Sequence, residues 1–74
     1  MARAITLDQL TVELSEVTSA SDAQAIVNRA SRIAGAPSDR PLDVEELIRV
    51  LSALSAEGGM IEQLAQTIAA AELR

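Results

Sequence analysis

The chain must build its core from aliphatic side chains alone. Its 74 residues include no Phe, Tyr, Trp or Cys, so neither aromatic packing nor a disulfide can stabilise the fold. A buried Leu, Ile or Val contributes about 1.5–3 kcal/mol relative to an exposed one. A chain of this size buries only about 60% of the surface that its unfolded state exposes. We therefore expect one small domain over residues 1–74, with a thin core that dimerisation completes.

The absence of His, Cys and Lys removes most catalytic and metal-binding side chains. The chain has no base that titrates near neutral pH, no thiolate, no Schiff-base amine and no soft metal ligand. Glu45 and Glu46 are adjacent and point about 100° apart on a helix, so they do not form a carboxylate pair for acid–base catalysis. The sequence predicts a protein that is not an enzyme and has no cofactor and no metal site.

Charge limits the class of partner. Eleven acidic residues outnumber six arginines, which gives a net charge of −5. Such a surface repels the phosphate backbone of nucleic acids and anionic lipid headgroups. No uncharged stretch is long enough to span a bilayer, and no segment has the pattern of a secretion signal. We expect a cytoplasmic protein that binds neither nucleic acid nor membrane.

Capping signatures mark where three helices begin. In a capping box, the cap side chain accepts the amide three residues later, and the side chain of that later residue reaches back. Three pairs have this spacing: Thr6 with Gln9, Ser21 with Gln24, and Asp43 with Glu46. Apolar residues flank two of these boxes at the positions of a hydrophobic staple: Ile5 with Leu10, and Leu42 with Leu47.

Apolar residues recur every three or four positions, which is the period of an amphipathic helix. The predicted helices span residues 7–18, 22–34, 44–56 and 60–73, and Gly35 and the pair Gly58-Gly59 separate them. The predicted fold class is all-α: four short amphipathic helices form two helical hairpins that pack as a small bundle, completed by dimerisation.

The periodic stripes also predict which residues are buried. The stripes expected in the core include Ile33 in the second helix, Val44 and Ile48 in the third, and Met60, Leu64 and Ile68 in the fourth. The two halves of the chain are loosely similar, since residues 5–10 align with residues 42–47. A duplicated hairpin explains this similarity, and so do two capping boxes that each open an amphipathic helix.

Residues 42–47 resemble the second half of an EF-hand loop and its exiting helix, with Asp43 and Glu46 at ligand positions. The first half of the loop departs from that family. Gly35 and Pro37 stand where oxygen ligands are needed, and Arg40 replaces the turn glycine. Calcium binding therefore does not carry over.

The same segment looks like the start of the second helix of acyl carrier proteins. That family attaches its phosphopantetheine group to a serine directly before the leucine. Here the position before Leu42 is Pro41, and Ser38 lies too early in the chain to replace that serine. The carrier function does not carry over either.

Three large apolar residues lie off the clean stripes and are the candidate protein-interface residues: Val12, Val50 and Leu73. Arg29 and Arg32 share one face of the second helix and could contact an anion or an acidic partner. The sequence predicts an interaction module, acting as regulator, adaptor or inhibitor of a protein partner, and its acidity favours a basic one. The alternative is a structural subunit of a homo-oligomer.

Overall fold

The structure is a computed structural model that describes residues 5–72. Its four helices are α1 (Leu7–Leu14), α2 (Ala20–Ala34), α3 (Val44–Ser55) and α4 (Gly59–Glu72). They contain 72% of the described residues, and no strand occurs in that range, so the predicted all-α class is confirmed. None of the four helices has the length and apolarity that crossing a bilayer requires.

Two capping boxes begin α1 and α3 as predicted. The amide of Gln9 donates to Thr6 Oγ1 over 3.2 Å, and Gln9 Oε1 accepts the amide of Thr6 over 3.0 Å. At α3, the amide of Glu46 donates to Asp43 Oδ1 over 2.8 Å, and Glu46 Oε1 accepts the amide of Asp43 over 2.9 Å. Each box satisfies two backbone donors that lack a partner within the helix.

The predicted start of α2 was wrong. Ser19, and not Ser21, caps this helix, because Ser19 Oγ accepts the amide of Asp22 over 3.1 Å. The helix therefore begins at Ala20, earlier than predicted. The predicted pairing of Ser21 with Gln24 has no role in the cap.

The predicted end of α1 was also wrong, because the helix ends at Leu14 and not at residue 18. The chain has to turn before it reaches the cap of α2. The amides of Val17 and Thr18 both donate to the carbonyl oxygen of Leu14, at 3.0 and 3.1 Å, and these bonds form that turn.

Gly35 ends α2, as predicted. Its φ of 67° is left-handed, and the amide of Ala36 donates to the carbonyl oxygen of Ser31 over 2.9 Å, as in a Schellman motif. Arg49 on α3 adds a bond from its Nε to the carbonyl oxygen of Ala34 over 3.2 Å. The carbonyl of the last residue of α2 is thereby tied to the next helix.

The helices pack in chain order, α1 against α2, α2 against α3 and α3 against α4. The buried face of α2 is formed mainly by small residues, which lets its neighbours approach closely: Ala23, Val27, Ala30 and Ala34. The first and last helices, α1 and α4, do not pack closely on each other. A groove separates them.

The burial of α3 corrects the prediction for Val50. The buried apolar face of this helix consists of Leu47, Val50, Leu51 and Leu54, and Val50 is 0% exposed. Val50 lies in the core of the single chain and is not available to a partner. The predicted core residues Val44 and Ile48 lie beyond the edge of this face and are 55% and 47% exposed.

Two further residues of the predicted core are exposed. Ile33 on α2 is 70% exposed, and Met60 in the first turn of α4 is 59% exposed. Ile33 lies to one side of the narrow alanine-rich face that α2 buries, so no neighbouring helix covers it. The buried faces of these helices are consequently narrower than the apolar stripes that the sequence shows.

Candidate functional site

A groove of about 470 Å³ lies between α1 and α4, and we call it the α1–α4 groove. Its first wall consists of Ile5, Asp8, Gln9, Leu10, Val12 and Glu13. Its second wall consists of Leu64, Thr67, Ile68, Ala71 and Glu72 of α4. The volume falls within the range of about 300–1,000 Å³ that is typical of binding pockets.

The lining of the groove includes aliphatic side chains anchored in the core. Ile5 and Leu10 are buried, and Leu64 and Ile68 are half-buried and pack against the core cluster. Val12 lines the same groove but is 64% exposed. The groove therefore combines apolar side chains that are packed on the core with one large apolar side chain, Val12, that is mostly exposed to water.

Carboxylates accompany this apolar surface on both walls. Asp8 and Glu13 come from α1 and are exposed, and Glu72 comes from α4. All three are acidic, and none of the described residues that line the groove is basic. We call these three carboxylates, Asp8, Glu13 and Glu72, the rim of the groove.

The three predicted interface residues have different surroundings. Val12 lies in the α1–α4 groove, whereas Val50 belongs to the core. Leu73 falls outside the described residues. An interface role for Val12 and Leu73 stays a prediction, and the structure associates Val12 with the groove.

Arg29 has an intramolecular partner. Its Nε lies 3.1 Å from Glu57 Oε2, and its NH2 lies 2.8 Å from Oε1 and 2.9 Å from Oε2 of the same carboxylate. This is a bidentate ion pair, which is stronger than a pair joined by a single hydrogen bond. Arg29 therefore holds α2 to the turn that follows α3, and its guanidinium is already engaged by an acidic group.

Arg32 lines a different cleft, of about 350 Å³, on the side of α1 and α2. The cleft is polar and includes the side chains of Asn28, Ser31 and Ser38. Asp8 lines it too, and its carboxylate opposes the binding of an anion beside Arg32. A contact of Arg32 with an anion or acidic partner stays a prediction.

Arg40 and Glu46 form a second ion pair, at the start of α3. Arg40 NH1 donates to Glu46 Oε1 over 3.0 Å, and NH2 donates to Oε2 over 2.8 Å. These hydrogen bonds, followed by the bond from the amide of Asp43, hold the pKa of the Glu46 carboxyl below its ordinary value. The hydrogen bonding between Arg40 and the Glu46 carboxylate also raises the pKa of the Arg40 guanidinium.

This ion pair involves the segment that resembles an EF-hand loop. The two Glu46 oxygens, which that family turns toward calcium, accept hydrogen bonds from Arg40 and from the amide of Asp43. Within residues 5–72, no group of three or more acidic side chains is placed to hold a metal ion.

Sequence reasoning missed the groove because it assigned Leu64 and Ile68 to the core. The structure buries only Ile61 and Ala65 on α4, because α3 is the one helix that packs closely on it. A usable signal was present in the sequence. The apolar stripe of the last helix is wider than a single neighbouring helix can cover.

Comparison with protein families, curated proteins and solved structures gives no match. The groups in the α1–α4 groove indicate its chemistry. Its aliphatic surface suits apolar side chains, and its rim carboxylates suit cations. Among its described lining residues the hydroxyl is that of Thr67, which donates to the carbonyl oxygen of Gln63 over 3.0 Å.

Proposed function

We propose that this protein is a non-enzymatic interaction module that binds an apolar helical segment of a partner protein in the α1–α4 groove. It acts as a regulator, adaptor or inhibitor of that partner in the cytoplasm. The observation that carries the proposal is the half-buried aliphatic surface of Leu64 and Ile68, which faces the groove beside the exposed Val12. Covering such side chains stabilises a complex through the hydrophobic effect.

A helix is the occupant that fits a groove between two helices. Leu64, Ile68 and Ala71 follow the spacing i, i+4, i+7 along α4 and form one row. An amphipathic helix laid against this row packs as in other helix-in-groove complexes. It also supplies the contact that α1 and α4 do not make with each other, and so completes the bundle.

The proposal can be tested with a labelled synthetic peptide. The peptide has Leu at i, i+3, i+4 and i+7 and a neutral polar face of Gln and Ser, and fluorescence anisotropy measures its binding. We expect saturable binding that Val12→Asp weakens about tenfold, because it places a charge beside the apolar surface. Met60→Asp is the matched control, since Met60 is similarly exposed, at 59%, but does not line the groove.

Two results would contradict the proposal. One is the absence of saturable binding by peptides of this pattern, whatever their polar face. The other is binding that Val12→Asp leaves unchanged, or that Met60→Asp weakens equally.

A second candidate function is that of a structural subunit in a homo-oligomer, and the outer face of α3 favours it. Val44 and Ile48 are exposed there, and Ile48 borders a shallow groove of about 160 Å³ shared with α4. The described residues that line this groove are uncharged. Two copies can therefore meet through this groove without placing its own lining residues in a like-charge contact.

Sedimentation equilibrium tests self-association. We expect a monomer–dimer equilibrium that Ile48→Asp abolishes. Ile33→Asp is the control, because Ile33 is also exposed and lies on α2. A single monomeric species at high micromolar concentration would exclude this second function and leave the α1–α4 groove unaffected.

A further inference from the structure

We infer that the occupant of the α1–α4 groove is a basic amphipathic helix, with Lys or Arg side chains on the flank of its apolar stripe that faces α1. This inference rests on the proposed function. To that function it adds the chemical class of the partner, which is a basic helix. The observation behind it is the arrangement of charge around the groove.

Two exposed carboxylates line the α1 wall of the groove, which matches a helix that is basic on the flank facing α1. They belong to Asp8 and Glu13. A Lys or Arg at the edge of a bound helix can lay its methylene stem over the aliphatic surface and bring its charge to these oxygens. The described lining residues contribute no competing cation. The groove thus discriminates among helices by their flanking charges.

A second copy of this chain is a poor occupant. It has the same net charge of −5 and the same acidic groove, so a groove-to-groove contact places carboxylates against carboxylates. Three of the four arginines within residues 5–72 are also engaged. Arg29 pairs with Glu57, Arg40 with Glu46, and Arg49 with the carbonyl oxygen of Ala34. These contacts favour a different protein with free basic side chains.

The contribution of the rim is modest and depends on salt. An exposed ion pair strengthens binding by a factor of about 1.5 to 5 at low ionic strength. Such pairs are screened as the Debye length falls from about 10 Å in 0.1 M salt to about 3 Å in 1 M salt. The apolar surface therefore supplies most of the affinity, and the rim supplies the preference for a basic helix.

Three peptides with one apolar stripe and polar faces of Lys, Gln or Glu test the inference by fluorescence anisotropy. We expect the Lys peptide to bind about fivefold more tightly than the Gln peptide at low salt, and the Glu peptide to bind most weakly. In about 1 M salt the three affinities should converge. The double variant Asp8→Asn/Glu13→Gln should remove most of the preference for Lys.

The matched control is Glu16→Gln/Glu45→Gln, which changes the net charge equally at exposed positions outside the groove. We expect this control to keep the preference for the Lys peptide. If both double variants lose it equally, net charge and not the rim selects the partner, and the inference is overturned.

The remaining outcomes separate the inference from the proposed function. If the three peptides bind with equal affinity at low salt, the inference fails and the groove remains an interaction site. If none of them binds, the proposed function fails as well.

Discussion

The amide of Leu42 donates a 2.7 Å hydrogen bond to the carbonyl oxygen of Ile5. This isolated antiparallel bridge joins the residue before the cap of α1 to the residue before the cap of α3, and both side chains are buried. The two segments that are similar in sequence are therefore neighbours in the fold. Ile5 also lines the α1–α4 groove, so the bridge supports one end of the candidate site.

Hydrogen exchange can test this bridge. Leu42 lies outside the helices, yet its amide is bonded and its side chain is buried, so we expect slow exchange. The amide of Asp39 lies in the same connection and is the internal control. It is exposed and makes no backbone bond among the described residues, so it should exchange fast. Equal exchange rates at the two amides would contradict the bridge.

The burial of Val50 predicts a large difference between two valine substitutions. Val50→Ala opens a cavity in the core and should lower the free energy of unfolding by about 2 kcal/mol. Val12→Ala removes atoms that are already in water, and its effect should stay within about 0.5 kcal/mol. Urea denaturation measures both values. Equal effects would mean that Val50 is not buried as described.

Two serine substitutions test which residue caps α2. Ser19→Ala removes the acceptor for the amide of Asp22 and should cost about 0.5–2 kcal/mol. Ser21→Ala places a strong helix former in the first turn and should be neutral or slightly stabilising. Thermal melts of the two variants provide the comparison. The opposite order would restore Ser21 as the cap.

The ion pair of Glu46 predicts a specific pH dependence. Its pKa is lowered in the folded state, so its ionised form stabilises the fold above the ordinary glutamate pKa of about 4.3. This contribution is lost as the pH falls through the folded-state pKa. Glu46→Gln keeps the acceptor for the amide of Asp43 but has no charge. We expect the wild type to melt higher at neutral pH and to lose this advantage on acidification, whereas a constant difference would contradict the pairing.

The sequence alone predicted the helical class and two helix starts, because these depend on local interactions. The pairing of Thr6 with Gln9 involves atoms three residues apart and needs no tertiary contact. The cap of α2 was missed for a related reason. Two serines in the same segment have similar local patterns, and the structure shows that Ser19 is the one that accepts the amide of Asp22.

Burial could not be read from periodicity alone, because it depends on which helices pack together. An apolar stripe predicts which side of a helix is buried, but it does not predict where the buried face ends. Val50 and Ile48 are both apolar and stand two residues apart on α3, so they point to nearly opposite sides of the helix. Their exposures of 0% and 47% follow from where α2 and α4 lie. The α1–α4 groove has the same origin, since it depends on two helices that are distant in sequence.

The most direct test of the central claim is to locate a bound helix by nuclear magnetic resonance. The amide resonances of the isotope-labelled protein are followed during titration with the Lys-faced amphipathic peptide. We predict that the largest shifts fall on the two walls of the α1–α4 groove, at Leu10, Val12, Leu64 and Ile68. Shifts confined to the outer faces of α2 and α3, or no shifts at a saturating peptide concentration, would contradict the account.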